Sequence, residues 1–261
     1  MKDLTVIVPL HEYNDNVDAF LKGALDSFKK ADKDKNSEVL FVGPQKIMDE
    51  ISEKYKEKRY RFLVNEESDF CTQINKAVED CKKYFSILEY DDTYTETWFD
   101  NVEKYIKDTN DTVSIYLPLT EIIIDRKQKD GPIGYVNEAV WAQSFSDTLG
   151  YLDLESLLNY MNFNTTGAVF KTEDFKEVGG LKAPIKLTFW YEFLLRAVRN
   201  DKKVFTIPKV GYQHLLDREG SLSSTYNKTL TPEEADFWLD LAKKDYFFKK
   251  LRDLSHYQWE K

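Results

Sequence analysis

The sequence predicts a single α/β domain built on an open, mostly parallel, doubly wound sheet with helices on both faces. Three observations carry this. Strand-like and helix-like segments alternate four times before residue 93, the pattern of parallel strands joined by crossover helices. The first strand, Leu4-Thr5-Val6-Ile7-Val8-Pro9, is a nearly continuous apolar run, as expected for a strand covered on both faces. The 261 residues, 42% hydrophobic and 32% charged, suit one sizeable core that needs no crosslinks.

The elements follow in order. After the first strand, Val17, Phe20, Leu21, Ala24, Leu25 and Phe28 fall at helical spacing within 15–30. Glu38 to Val42 reads as a second strand, stopped by Gly43-Pro44. Residues 45–58 read as a helix, Arg61 to Val64 as a third strand, 69–83 as a helix and Tyr84 to Leu88 as a fourth strand. The second half is less regular. It predicts one or two strands within 112–124, a loop with a helix near 153–161, a strand over 166–170, and a helix over 172–178 ended by Gly179-Gly180. A helix over 189–200, a last strand over 204–208, and a closing helix from Pro232 capped by Thr231 complete the series.

Charge and composition narrow the function. A net charge of −9 argues against nonspecific nucleic-acid binding, which needs a basic surface. An anionic nucleotide remains possible, because a bound metal can invert the local sign. Aromatics reach 15%; they suit sugar stacking but also ordinary core packing. Cys71 and Cys81 are expected to be small buried residues on one helical stretch, in a reducing, cytoplasmic setting. No secretory start and no long apolar run are visible, so any membrane contact is expected to be peripheral.

In such sheets ligands bind beyond the carboxyl ends of the strands. Those positions are Leu10-His11-Glu12, Gly43-Pro44-Gln45, Asn65-Glu66-Glu67 and Glu89-Tyr90-Asp91-Asp92. No glycine-rich dinucleotide turn and no P-loop is present. Any diphosphate must therefore be held by a metal, and the acidic cluster is the candidate. Strand alternation puts Glu89 and Asp91 on one face, roughly 6–7 Å apart, where they and Asp92 could hold a hard cation. The other reading is a solvated acidic turn.

Residues 4–12 resemble the opening strand of family 2 glycosyltransferases, which have the GT-A fold. Gln73-Ile74-Asn75 looks like the counterpart of the family's Arg-Asn-like pair, and the acidic cluster resembles its Asp-x-Asp, with Glu89 in first place. Thr166-Gly167-Ala168-Val169-Phe170-Lys171 and Phe175 to Leu181 resemble the stretch before the catalytic segment. Tyr191 to Arg196 resembles the helix that carries that segment, and Tyr212-x-His214 with Ser221-Leu222-Ser223 its terminal His and Ser motif. The resemblance covers about 3–225 and rests on the order of the motifs rather than on any one of them. It implies a glycosyltransferase domain over 1–225, with a nucleotide-binding half (1–110) and an acceptor-binding half (111–225), followed by a helical extension (226–261).

The function implied is metal-dependent, inverting transfer of a sugar from a nucleotide-sugar donor to a glycan or other hydroxyl acceptor. The expected nucleotide-binding residues are Pro9, Leu10, His11, Glu12, Gln45, Gln73, Asn75, Tyr90 and Arg218, and the expected metal ligands are Glu89, Asp91, Asp92 and His214. A histidine ligand suits Mn2+ better than Mg2+; the other reading of His214 is a structural histidine. The segment Tyr212 to Ser223, bracketed by Gly211 and Gly220, is expected to be a lid.

Two departures stand out. Gly43-Pro44-Gln45 replaces the Asp-rich turn that helps hold the base, and Phe189-Trp190 stands where the family has its acidic pair. Glu192 is the nearest acid and is either the catalytic base or a helix acid paired with Arg196 one turn on. Residues 127–132 and Trp141 lie where acceptor binding varies. Trp141, Trp190 and Tyr191 are read as an acceptor platform or as packing. The rival functions are a catalytically inactive carbohydrate- or nucleotide-binding protein on the same fold, and a sugar nucleotidyltransferase; the second would need a glycine-rich loop that Leu10-His11-Glu12 is not.

Overall fold

The computed structural model describes residues 1–124, 131–143, 145–216 and 228–251. The first half contains β1 (Leu4–Pro9), α1 (Asp15–Ala31), β2 (Glu38–Gly43), α2 (Gln45–Lys54), β3 (Tyr60–Val64), α3 (Phe70–Val78) and β4 (Tyr84–Ile87). β5 (Thr93–Tyr94), α4 (Trp98–Asp108), β6 (Ile115–Ile123) and β7 (Gly134–Val136) follow. The remainder is α5 (Leu154–Asn159), β8 (Val169–Lys171), α6 (Thr172–Val178), α7 (Phe189–Arg199), β9 (Val204–Leu215) and α8 (Pro232–Leu251). The strands form one sheet in the order β3-β2-β1-β4-β8-β6-β9-β5, with β7 paired to β6.

β1 pairs in parallel with both β2 and β4, and β3 continues in parallel beyond β2. The chain therefore builds outward from β1 to β3 and then crosses back to lay β4 on the other side of β1. This reversal opens a crevice at the carboxyl ends of β1 and β4, the place where open α/β sheets bind ligands. β8 runs antiparallel to β4 and β6, so the residues just before β8 arrive at the same end. β6 and β9 are mutually parallel.

Alternation along the central strands sends side chains into two cores. Val6 and Val8 of β1 and Val39 and Phe41 of β2 pack with Phe28 of α1 and Trp98 of α4. Ile7, Leu40 and Val42 point the other way, toward Ile74 of α3 and Phe193 of α7. Burial on both faces is why these strands read as continuous apolar runs. Helix starts follow local chemistry: Asn14 caps α1 by accepting from the N–H groups of Asn16 and Val17 at 3.0 and 3.1 Å, and Asp69 caps α3 through Thr72 N–H at 2.9 Å. Gly179 ends α6 in the left-handed conformation expected of it. α8 lies on α7, with Thr188 Oγ1 donating to the Trp238 carbonyl at 2.9 Å and Ala242 fully buried. Among the described residues no helix is long and apolar enough to cross a membrane.

The structure departs from expectation in several places. α4 and the short strands β5 and β7 are additional. The last strand does not stop at Pro208 but continues to Leu215, so Tyr212 and His214 belong to the sheet and not to a lid. Gly211 is not a hinge: a Cβ there would stand 2.3 Å from the Trp98 ring, so glycine is needed for close packing. Gly220, Arg218 and Ser221-Leu222-Ser223 lie outside the described residues.

Candidate active site

A cavity of about 800 Å³ opens at the carboxyl ends of β1 and β4. One wall comes from the strand ends and the start of α3: Pro9, His11 and Glu12 after β1, Asp69 and Phe70 at the helix start, and Glu89, Tyr90 and Asp91 after β4. The residues before β8, Asn162 to Thr166, form the floor between the two halves of the sheet. The far wall comes from β6, β7, the end of β9, and the segment entering α7.

The acidic loop is held from behind by a tightly packed base. Tyr212 is fully buried, and its hydroxyl accepts from the Glu89 N–H at 3.2 Å. Gly167 lies against the Tyr212 ring with φ +72, where a Cβ would stand 2.2 Å from the ring. Its carbonyl accepts from Trp98 Nε1 at 2.9 Å. Asp92 turns inward: one oxygen accepts from Leu215 N–H at 2.9 Å and the other meets His214 Nδ1 at 3.0 Å. Tyr90 donates to Glu12 at 2.7 Å, tying the loop after β4 to the end of β1. His11 packs near the Tyr90 ring, centroids 6.2 Å apart.

The wall is electronegative. Glu12, Asp69, Glu89 and Asp91 line the cavity, and among the described residues no lysine or arginine does. His214 records that field. Burial disfavours its charge, but the carboxylates of Asp92, then Glu89 and Asp91, outweigh burial and lift its pKa to about 9.

The donor set of a cation can be tested on this geometry. Among the described residues no three His, Cys, Asp or Glu side chains are grouped so as to hold a metal ion by themselves. Asp92 is committed to strand β9, and His214 has its Nδ1 engaged, so only Nε2 could reach a ligand. Glu89 and Asp91 remain on the cavity wall. Two carboxylates fit a hard cation that takes its remaining oxygens from water and ligand phosphate.

Other expected site residues are placed elsewhere. Glu192 is fully buried and does not line the cavity. Arg196 holds both its oxygens, at 2.8 and 2.6 Å, and Lys182 approaches at 3.0 Å. This corrects the reading of Glu192 as a base: the i, i+4 partner on the inner face of α7 captures it. Asn75 is also structural; its amide grips the backbone of Leu181 at 2.7 and 2.8 Å. Gln73 reaches the Leu10 carbonyl at 3.2 Å and does line the cavity, whereas Leu10 itself is buried behind it. Gln45 lies outside, bonded to Asp49 at 2.6 Å. Of the expected acceptor platform only Trp190 reaches the cavity. Tyr191 donates to the Leu157 carbonyl at 2.6 Å, and Trp141 packs edge-on to Phe205.

Several lining residues were not singled out from sequence. Asp69 carries the signal of a helix cap, a short polar residue just before an apolar-periodic segment. Leu187, Leu215 and Leu216 carry none, because their exposure to the cavity depends on tertiary placement.

The sequence matches no family model and no curated protein sequence. Its fold, however, is shared with solved structures. The Staphylococcus aureus TarS 1–349 structure in complex with UDP-GlcNAc aligns with a TM-score of 0.66 over 93% of this chain at 19% identity. This chain spans 65% of the length of that structure. The TarS 1–349 complex with UDP aligns with a TM-score of 0.62 over 94% of this chain at 16% identity.

Proposed function

We propose that this chain is a nucleotide-sugar glycosyltransferase that binds a UDP-sugar in the cavity at the β1/β4 switch point. The observation that carries the reading is the acidic loop, Glu89 to Asp91, at the end of β4 in a fold shared with UDP- and UDP-GlcNAc-bound TarS, a glycosyltransferase. Among the described residues, four carboxylates outnumber the one cationic side chain on the cavity, His214, so a diphosphate needs a further counter-charge to settle there. Glu89 and Asp91 would hold Mn2+ or Mg2+, which neutralises the leaving diphosphate when bound. The exposed His11 ring would stack the base, and the buried Tyr90 beside it, tied to Glu12 through its hydroxyl, would support that ring.

The finer reading is inverting transfer, in which a cavity carboxylate takes the proton of the acceptor hydroxyl as that oxygen attacks the anomeric carbon. Glu192 is not available for this; the described acids that line the cavity are Glu12, Asp69, Glu89 and Asp91. The absence of an acid at Phe189-Trp190 supports a second reading, a sugar-nucleotide-binding protein without turnover. Incubation with a panel of UDP- and GDP-sugars and Mn2+, scored for nucleoside diphosphate release, separates the two. Release with at least one donor supports the enzyme. Saturable binding with no release from any donor, with acceptors present, supports the binding protein.

A further inference from the structure

The cavity is chemically divided along the sheet. All four lining acids come from the β1, α3 and β4 side and the floor of Asn162 to Thr166 is polar, whereas the opposite wall, apart from His214, is built of Ile122, Val136, Leu187, Phe189, Trp190 and Leu216. The division follows strand order, so it is built into the fold and is not a chance of side-chain placement. A sugar acceptor would find few hydroxyl partners on this wall, which offers polar atoms only at His214 and the Trp190 indole N–H.

Leu187 adds an independent observation. It lines the cavity while 36% exposed, and its backbone has φ +61. Thr188 N–H donates to the Lys186 carbonyl at 2.6 Å, so Leu187 is the centre of a tight three-residue turn. A leucine in this conformation is strained, and glycine or asparagine would relieve it. Strain held at a cavity rim, to present a large apolar side chain to solvent, points to a ligand there. The wall also continues outward. Ile122 and Val136 lie on one face of the β6–β7 pair by register, and Ile124, 58% exposed, follows directly after the end of β6.

We infer that the acceptor carries its hydroxyl on an aliphatic body, which lies along Ile122, Val136, Leu187 and Trp190 with the hydroxyl directed toward the acidic wall. This rests on the reading of the site as a glycosyltransferase centre. It excludes as the preferred acceptor a free, fully polar glycan.

The test is a calorimetric titration of the protein, with UDP and Mn2+ present, using methyl, butyl and octyl β-glucosides below the micellar concentration. Burying a methylene is worth about fourfold in affinity. Octyl glucoside should bind at least about tenfold more tightly than methyl glucoside even if only part of the chain is covered. Leu187→Gly relieves the backbone while removing the side chain, so it should fold and should reduce the octyl preference several-fold. Equal affinity for methyl and octyl glucosides would overturn the inference. So would an octyl preference undiminished in Leu187→Gly, which would locate the alkyl chain elsewhere. A chain-length preference that depends on Leu187, in a protein that shows no UDP binding, would keep the apolar site and remove the glycosyltransferase reading.

Discussion

Asp92 spans two strands' worth of backbone: it follows β4, yet its carboxylate accepts from the Leu215 N–H at 2.9 Å and contacts His214 Nδ1 at 3.0 Å, both at the end of β9. The residue is 1% exposed. It therefore anchors the acidic loop, while its neighbour Asp91 lines the cavity. Adjacent carboxylates of the same motif thus have different tasks.

Asp92→Ala removes the acceptor of a buried N–H and of His214. It should destabilise the protein by roughly 1–3 kcal/mol, the cost of buried groups left without partners. Urea denaturation of the variant beside wild type checks this.

Glu192 and Arg196 make a bidentate pair within α7, with side-chain exposures of 0% and 2%. Arg196 also donates to the carbonyls of Val178 and Gly180 at 2.6 and 2.7 Å, fastening the turn after α6. Glu192→Ala would leave a buried guanidinium without its counter-ion, at about 3–5 kcal/mol. A drop in midpoint temperature of several degrees is expected. Donor turnover measured on the protein that remains folded should stay within a few-fold of wild type, unlike the hundredfold loss of a missing base.

Gly167→Ala combines a left-handed backbone with a Cβ driven into the Tyr212 ring. Overpacking of this kind costs typically about 1–3 kcal/mol. Because Tyr212 supports Glu89, UDP affinity in Mn2+ should fall as well, which calorimetry at a temperature where the variant is folded would show.

Asp18 supplies a pH dependence remote from the cavity. Its buried carboxylate accepts from Tyr13 and Tyr55 at 2.6 and 2.7 Å and pairs with Lys22 and Lys54 at 2.8 Å. Burial alone would raise its pKa, but these partners outweigh burial and hold it well below the usual carboxylate range. A depressed carboxylate contributes stability that is present above its unfolded pKa, about 3.9, and is lost as pH falls below it. Asp18→Asn should therefore be less stable than wild type at pH 7, with the difference shrinking as pH falls below about 4. Denaturant titrations at several pH values check this.

The doubly wound half of the fold was legible in sequence because β1, β2 and β4 are buried on both faces and their continuous apolar runs say so. The last strand was cut short at Pro208 because Lys209 and Gly211 break the run. What extends it is pairing with β6 through an irregular register between Leu117 and Thr120. The acidic loop Glu89 to Asp92 was legible from its position after β4. The division of labour between Asp91 and Asp92 was not, since it depends on β9 arriving beside the loop. Glu192 and Arg196 carried both readings at i, i+4 spacing, and only the inward orientation of that face of α7 separates them. Of the apolar wall only Trp190 was singled out, because its members come from four separated segments.

The most direct test of the account is a calorimetric titration of the protein with UDP, in Mn2+ and again in EDTA. The account predicts saturable binding in Mn2+ that weakens at least tenfold in EDTA and is similarly weakened by Asp91→Ala in Mn2+. Equal affinity in Mn2+ and EDTA, or an Asp91→Ala variant that binds as wild type, would contradict it.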